Sequence, residues 1–209
     1  MEGRRERKKL QTRRGLQRAA LRLADERGVE HVTVEQIADA VDVSTRTFFN
    51  YFASKEEALI GHDPDDAGRL RDALAARSPD EPPLESLHVV LSELAVELSG
   101  RREEWLLRRT LIRSDPRLLS AHLAAWAALE RALVEGVAGR THTDPERDLY
   151  PPLVVSAAVS VTRVAVMRWQ HDDRVPLTEL VTLAFEALGA GLKPPHSDRS
   201  GLTGTEAGR

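Results

Sequence analysis

One stretch of this chain concentrates side chains that could read an extended polar partner. From Thr33 to Leu59 it runs TVEQIADAVDVSTRTFFNYFASKEEAL. Two short helices with a very short break at Asp42-Val43 fit this pattern, and the second has a size that suits a DNA major groove. Phe48 and Phe52 take its inner face. Thr45, Arg46, Phe49 and Asn50 take its outer face, with Tyr51 at the far end. Hydrogen-bond donors, acceptors and an aromatic on one outward face exceed what solvation needs, because an exposed Phe calls for something to cover it.

Catalytic chemistry finds little support. The chain has no cysteine, which removes disulfides, thiol catalysis and thiolate zinc sites. Its seven histidines, at 31, 62, 88, 122, 142, 171 and 196, show no metal-ligand spacing. HExxH, a nucleophile elbow, a P-loop and a dinucleotide fingerprint are all missing. No cofactor is implied. No run of eighteen apolar residues occurs, which argues against a membrane partner, and MEGRRERKKL lacks the apolar stretch of a secretory signal. A cytoplasmic location is expected.

Charge distribution says more than net charge. The total is −3, yet residues 1–18 hold eight basic and two acidic side chains. A basic arm on an otherwise acidic chain is an electrostatic footprint for a polyanion when a recognition motif stands beside it.

The elements that must position these residues are all helical. Leu16, Ala20, Leu23 and Ala24 form one stripe of a helix over about 8–27, with Gly28 as its stop. Thr33 and Gln36 form a capping box for a second helix, whose inner face is Val34, Ile37, Ala38 and Val41. Ser44 caps a third to about Tyr51, and Ser54 with Glu57 opens a fourth that ends near His62-Asp63-Pro64. Further helices are expected at about 65–76, 84–98 and 101–113, then from Asp115-Pro116 toward Val137, followed by a polar loop over 139–149. Two more follow, at 151–171 and 177–190. The expected organisation is a helix-turn-helix domain over 1–60 with its basic arm, a helical domain over 61–193, and a disordered tail over 194–209.

The segment 12–60 resembles the DNA-binding region of the TetR family. The resemblance is carried by Thr33, the Ile37-Ala38 pair, the turn Asp42-Val43, the aromatic run Phe48-Phe49-Asn50-Tyr51-Phe52, and Lys55. Asp42 departs from the family's usual glycine, but Asp tolerates a left-handed turn. The resemblance implies an all-α one-component transcriptional regulator, most often a repressor, that binds a palindromic double-stranded DNA operator as a homodimer. It places Tyr51 and Lys55 on phosphates, Thr33, Ser44 and Thr47 near the backbone, and Thr45, Arg46 and Asn50 at base edges. Phe49 would pack on a thymine methyl or a sugar.

By the same resemblance, the last two helices form the dimer, with Ala157, Ala158 and Ser160 small enough for close packing, and the middle helices enclose a ligand cavity. REEWLLRRTLIRSDPRLLSAHLAAWAALERAL and TRVAVMRWQH are similar to an actinobacterial subgroup associated with acyl-CoA-like ligands. Trp105, Arg109, His122, Trp126 and Arg163 are the cavity candidates. The alternatives are an enzyme, for which the motifs are missing, and a helical architectural or partner-binding protein without a ligand.

Overall fold

The computed structural model describes residues 2–63 and 65–193, which form ten α-helices and one 3-10 turn with no strand among the described residues. The tail over 194–209 lies outside them. In order the helices are α1 (Glu2–Arg27), α2 (Val34–Asp39), α3 (Thr45–Phe49), α4 (Lys55–Ile60), α5 (Asp66–Ala75), α6 (Pro83–Ser99), α7 (Arg102–Ser114), α8 (Pro116–Thr141), α9 (Tyr150–His171) and α10 (Leu177–Gly189). The 3-10 turn Val29–His31, not expected from the sequence, links α1 to α2.

Local chemistry sets most boundaries. Thr33 and Gln36 close both halves of the expected capping box on α2. Ser44 caps α3 by accepting from the Thr47 N–H, and Asp115 caps α8 ahead of Pro116. At α4, Ser54 accepts from the Glu57 N–H, while the Glu57 carboxylate takes the Ala53 N–H, one residue earlier than in a standard box. Asp42 sits at φ 56, so the turn keeps its left-handed residue without glycine.

Two boundaries differ from expectation. α1 begins at Glu2 rather than near residue 8, so the basic segment continues the helix. α8 runs on to Thr141 and takes in residues assigned to a loop, because Val137 and Ala138 are buried anchors and His142 then turns left-handed at φ 54.

Two apolar clusters hold the chain. The first joins α1 to α4 through Leu16, Ala20, Ile37, Phe48, Phe52 and Leu59, and it also takes Leu111 and Ile112 from α7 and Leu118 from α8. The second is built from α5, α6, α8, α9 and α10 around Leu74, Leu87, Leu133, Val155, Val181 and Phe185. α7 and the start of α8 therefore bind the helix-turn-helix to the rest by core packing. α5 lies close along α8, where a Cβ at Gly136 would come within 2.9 Å of the Leu74 side chain.

α9 corrects one sequence expectation. By length and composition it could cross a bilayer, with 22 residues and a mean hydropathy of 1.4. Here Val155, Ala158, Ala165 and Trp169 pack it into the bundle. Ala158, expected to face a partner, is fully buried within its own chain.

The C-terminal end of α5 is closed by a single side chain. The Arg140 guanidinium donates to the carbonyls of Leu74 (3.0 Å), Arg77 (3.0 Å), Ser78 (2.6 Å) and Glu81 (2.9 Å). Leu74 O also accepts from the Arg77 N–H and Ser78 O from the Glu81 N–H, so Arg140 is a second donor for these two. Replacing Arg140 with Ala should lower stability by about 2 kcal/mol, since the bonds are charge-assisted and the Arg77 and Glu81 carbonyls lose this donor. Urea denaturation followed by circular dichroism measures this, and an unchanged midpoint would contradict it.

Candidate nucleic-acid interface and effector cavity

The recognition surface is built outward from two buried rings. Phe48 and Phe52 are sealed in the first core with their centroids 5.4 Å apart. Anchoring these positions turns the opposite face of α3 to solvent. Arg46 and Asn50 are exposed, Thr45 is half-exposed, and Phe49 leaves 57 % of its surface uncovered. Before them on α1, Arg7, Lys8, Arg14 and Arg18 are exposed as well. A short helix carrying Arg, Asn, Thr and an aromatic, flanked by a basic helix, has the chemistry of base-edge and phosphate contact.

Several side chains assigned to phosphates have protein partners. The Lys55 ammonium donates to the carbonyls of Val29 (2.9 Å) and Val32 (2.8 Å), so it braces the 3-10 turn, and one N–H remains for another acceptor. The Ser44 and Thr47 hydroxyls lie 2.9 Å apart and bond to each other. Thr33 is occupied as a cap. Tyr51 packs against the first core, and its carbonyl accepts from Arg13.

Arg13 is the residue that sequence reasoning missed. Its side chain is 9 % exposed. It donates to Tyr51 O at the end of the recognition helix and to His62 O (3.0 Å). It pairs with Asp63 (3.1 Å), lies 3.9 Å from Glu57, and stacks over Phe52 at 4.3 Å. One turn on, Gln17 donates to Gly61 O at 3.3 Å. The signal was present: Arg13 falls on the same stripe as Leu16 and Ala20 and therefore faces inward, unlike the other basic residues of α1.

Beneath this knot lies a cavity of ≈ 220 Å³ lined by Glu57, Ile60, His62, Asp63, Ala67, Ala125, Ala128 and Leu129. It falls below the ~300–1,000 Å³ of typical small-molecule pockets. His62 forms part of its wall. The His62 Nε2 lies 3.3 Å from His122 Nδ1, and the His62 ring is 6.1 Å from Trp126. Burial, then His122 and the Arg108 cation, push His62 down to about 4. Burial and Arg108 also lower His122. Both rings are therefore neutral near pH 7.

The five cavity candidates do not come together. His122 and Trp126 stand behind His62, next to the cavity. Trp105 packs at a tilt against Trp169, centroids 6.0 Å apart, with Arg109 over it, as part of the second core's packing. Arg163 is exposed and does not line the cavity. Helical spacing gave each pair, but it could not say which face of its helix turns toward α4.

Comparison with known proteins agrees with this architecture. Residues 16–60 match the pattern of bacterial regulatory proteins of the tetR family, and residues 81–193 match the MftR C-terminal domain. The chain is 35 % identical to the HTH-type transcriptional regulator TcmR of Streptomyces glaucescens over 201 residues, covering 92 % of this chain and 87 % of that protein. Among solved structures it resembles Thermus thermophilus FadR in complex with lauroyl-CoA, at 23 % identity and TM-score 0.55, covering 90 % of this chain and 99 % of that one. It also resembles Bacillus subtilis FadR in complex with stearoyl-CoA, at 20 % identity and TM-score 0.59, covering 85 % and 97 %. With its helix-turn-helix displayed on α3 and both halves of the chain matched, this protein belongs to the TetR family of bacterial transcriptional regulators.

Proposed function

We propose that this regulator is a cytoplasmic one-component repressor that binds a palindromic operator as a homodimer and leaves it when a small apolar, acyl-CoA-like effector enters the helical domain. The observation that carries the DNA reading is the outward face of α3, where Thr45, Arg46, Phe49 and Asn50 stand on the buried pair Phe48 and Phe52. In this reading residues 1–60 bind DNA and 61–193 bind effector and partner. Lys55 keeps one N–H for a phosphate while its others brace the 3-10 turn.

The dimer reading rests on α9 and α10. Leu153, Val164 and Met167 leave 59 %, 61 % and 47 % of their surface exposed along one stripe of α9, and Leu183 leaves 51 % on α10. Ala157 and Ser160 lie on the same stripe. An isologous second copy would cover this face.

The effector reading draws on the FadR structures, which hold lauroyl-CoA and stearoyl-CoA. The cavity here is too small for a long acyl chain, so a ligand must widen it. Its walls Glu57 and Ile60 belong to α4, whose other end begins beside the DNA-facing side. A ligand that binds only the widened state shifts the equilibrium toward it, and α4 carries the shift to α3.

Arg46→Ala should weaken operator binding by about 1–3 kcal/mol and relax preference at one base pair per half-site. Lys55→Ala should weaken all sequences alike, reduce the salt slope by about 1 per recognition domain, and lower the domain's melting temperature as well. Fluorescence anisotropy across a salt series, with random duplex as control, separates these effects. Equal affinity for operator and random duplex at moderate salt would sink the DNA reading.

Val164→Arg should give helical monomers with weakened operator binding, whereas Ala158→Arg should unfold the bundle because Ala158 is fully buried. Sedimentation velocity and circular dichroism decide between them. A parent protein that runs as a monomer at micromolar concentration would refute the dimer. Titrating the operator complex with acyl-CoAs of graded chain length tests the effector; DNA release that ignores chain length would remove the acyl reading.

A further inference from the structure

Near His62, which lines the cavity, stands a part-buried cation with no ion-pair partner among the described residues. Arg108 of α7 donates from Nε to Leu59 O at 2.9 Å, which caps the end of α4. Its guanidinium lies against Gly61, whose φ of 77 and missing side chain make the space, and a Cβ there would collide with it. Among the described residues no carboxylate pairs with Arg108 within 4.0 Å. Glu104, one turn back on α7, is the carboxylate whose charge it feels, and burial outweighs that attraction to lower Arg108 to about 10. A partly desolvated guanidinium without a carboxylate partner carries a standing free-energy cost that an incoming anion would offset.

The neighbours of Arg108 fit that role. Glu104 and Arg101 are the charged groups that act on it, while the neighbouring His62 and His122 are both neutral. Two neutral imidazoles hold two N–H groups between them. One lies in the 3.3 Å contact between the rings, so whichever tautomer is present, one N–H stays available to an acceptor. The carboxylates of the cavity, Glu57 and Asp63, face Arg13 instead. The opposite wall, Ala125, Ala128 and Leu129 of α8, is apolar. His62, in contact with His122 and lining the cavity, thus joins the Arg108 cluster to this apolar wall.

We propose that Arg108, His62 and His122 form an anion-binding subsite beside the α4–α8 cavity, and that it takes the negatively charged group of an amphipathic effector, a carboxylate or a phosphate, while the acyl portion lies along α8. This deepens the effector reading above and rests on it. Because Arg108 also caps α4, an anion that draws its guanidinium away releases Leu59 O at the end of the helix proposed to carry the signal.

The test is direct binding of three probes of equal chain length: laurate, lauroyl-CoA and dodecanol. Calorimetry gives affinity, and the His62 and His122 imidazole proton signals give location. In the parent protein at least one charged probe should bind ten-fold or more tightly than dodecanol and should shift both imidazole signals. Arg108→Gln should remove most of that preference, and Arg108→Lys should restore part of it. Dependence on Arg108 for laurate alone assigns a carboxylate, and for lauroyl-CoA alone a phosphate; either supports the subsite. Equal binding of all three probes, imidazole signals unmoved by the charged probes, or a uniform loss across all three in Arg108→Gln would overturn the subsite and leave the effector reading standing. Failure of the parent to bind any probe would overturn both. Should Arg108→Gln fail to fold, the parent's charge preference and imidazole shifts still decide.

Discussion

A guanidinium taken out of water needs acceptors and counter-charge, and Arg13 finds them by gathering four parts of the chain. It holds the end of the recognition helix at Tyr51 O, the side of α4 at Glu57, and the following link at His62 O and Asp63, with Phe52 under its face. α1 supplies the stem, and Gln17 adds a contact to Gly61 O. The short helices α2, α3 and α4, of five or six residues each, could not hold their relative positions by helix propensity. Caps fix their ends and the aromatic core fixes their depth. Arg13 fixes the angle between α3 and the segment that forms the cavity wall.

That arrangement explains why a small cavity matters more than its volume suggests. Three of its lining residues, Glu57, His62 and Asp63, are the ones Arg13 grips. Any ligand that spreads the cavity must strain those contacts or carry Arg13 with them, and Arg13 is bonded to the recognition helix. On the proposed reading, the coupling needs no long path through the bundle. It is a two-sided grip by one buried side chain, with Arg108 holding the Leu59 carbonyl near the end of α4.

The helix-turn-helix was legible because its signals are local. Thr33 with Gln36, Ser44, and the turn at Asp42 act within a few residues of themselves, and Phe48 with Phe52 report an inward face by spacing alone. The boundaries of α1 and α8 were less so, because each extends through polar sequence by anchoring a few apolar residues. The cavity was not legible. Trp105, Arg109, His122, Trp126 and Arg163 were selected by helical spacing, yet the rotation of each long helix about its axis is set by neighbours distant in sequence. Trp105 turned toward Trp169 and away from α4. Arg13 and Arg108 were hidden for a different reason. Arginine usually reads as surface charge, and only their alignment with Leu16 and Ala20, and with Leu111 and Ile112, marks them as inward.

α9 shows how composition and packing must be weighed together. Its apolar character is nearly continuous, so a hydropathy window cannot tell a membrane span from a buried helix. The structure divides its residues into two faces. Val155, Ala158, Ala165 and Trp169 are spent inside the bundle, whereas Leu153, Val164 and Met167 remain outside with Ser160 and Arg163 among them. A lipid-facing surface would not retain an exposed arginine in the middle of its span without a compensating partner. A protein surface of the same kind can leave that arginine at its rim while the apolar positions close against each other. The pattern on α9 therefore favours a second protein surface over a bilayer as the partner of its outward face.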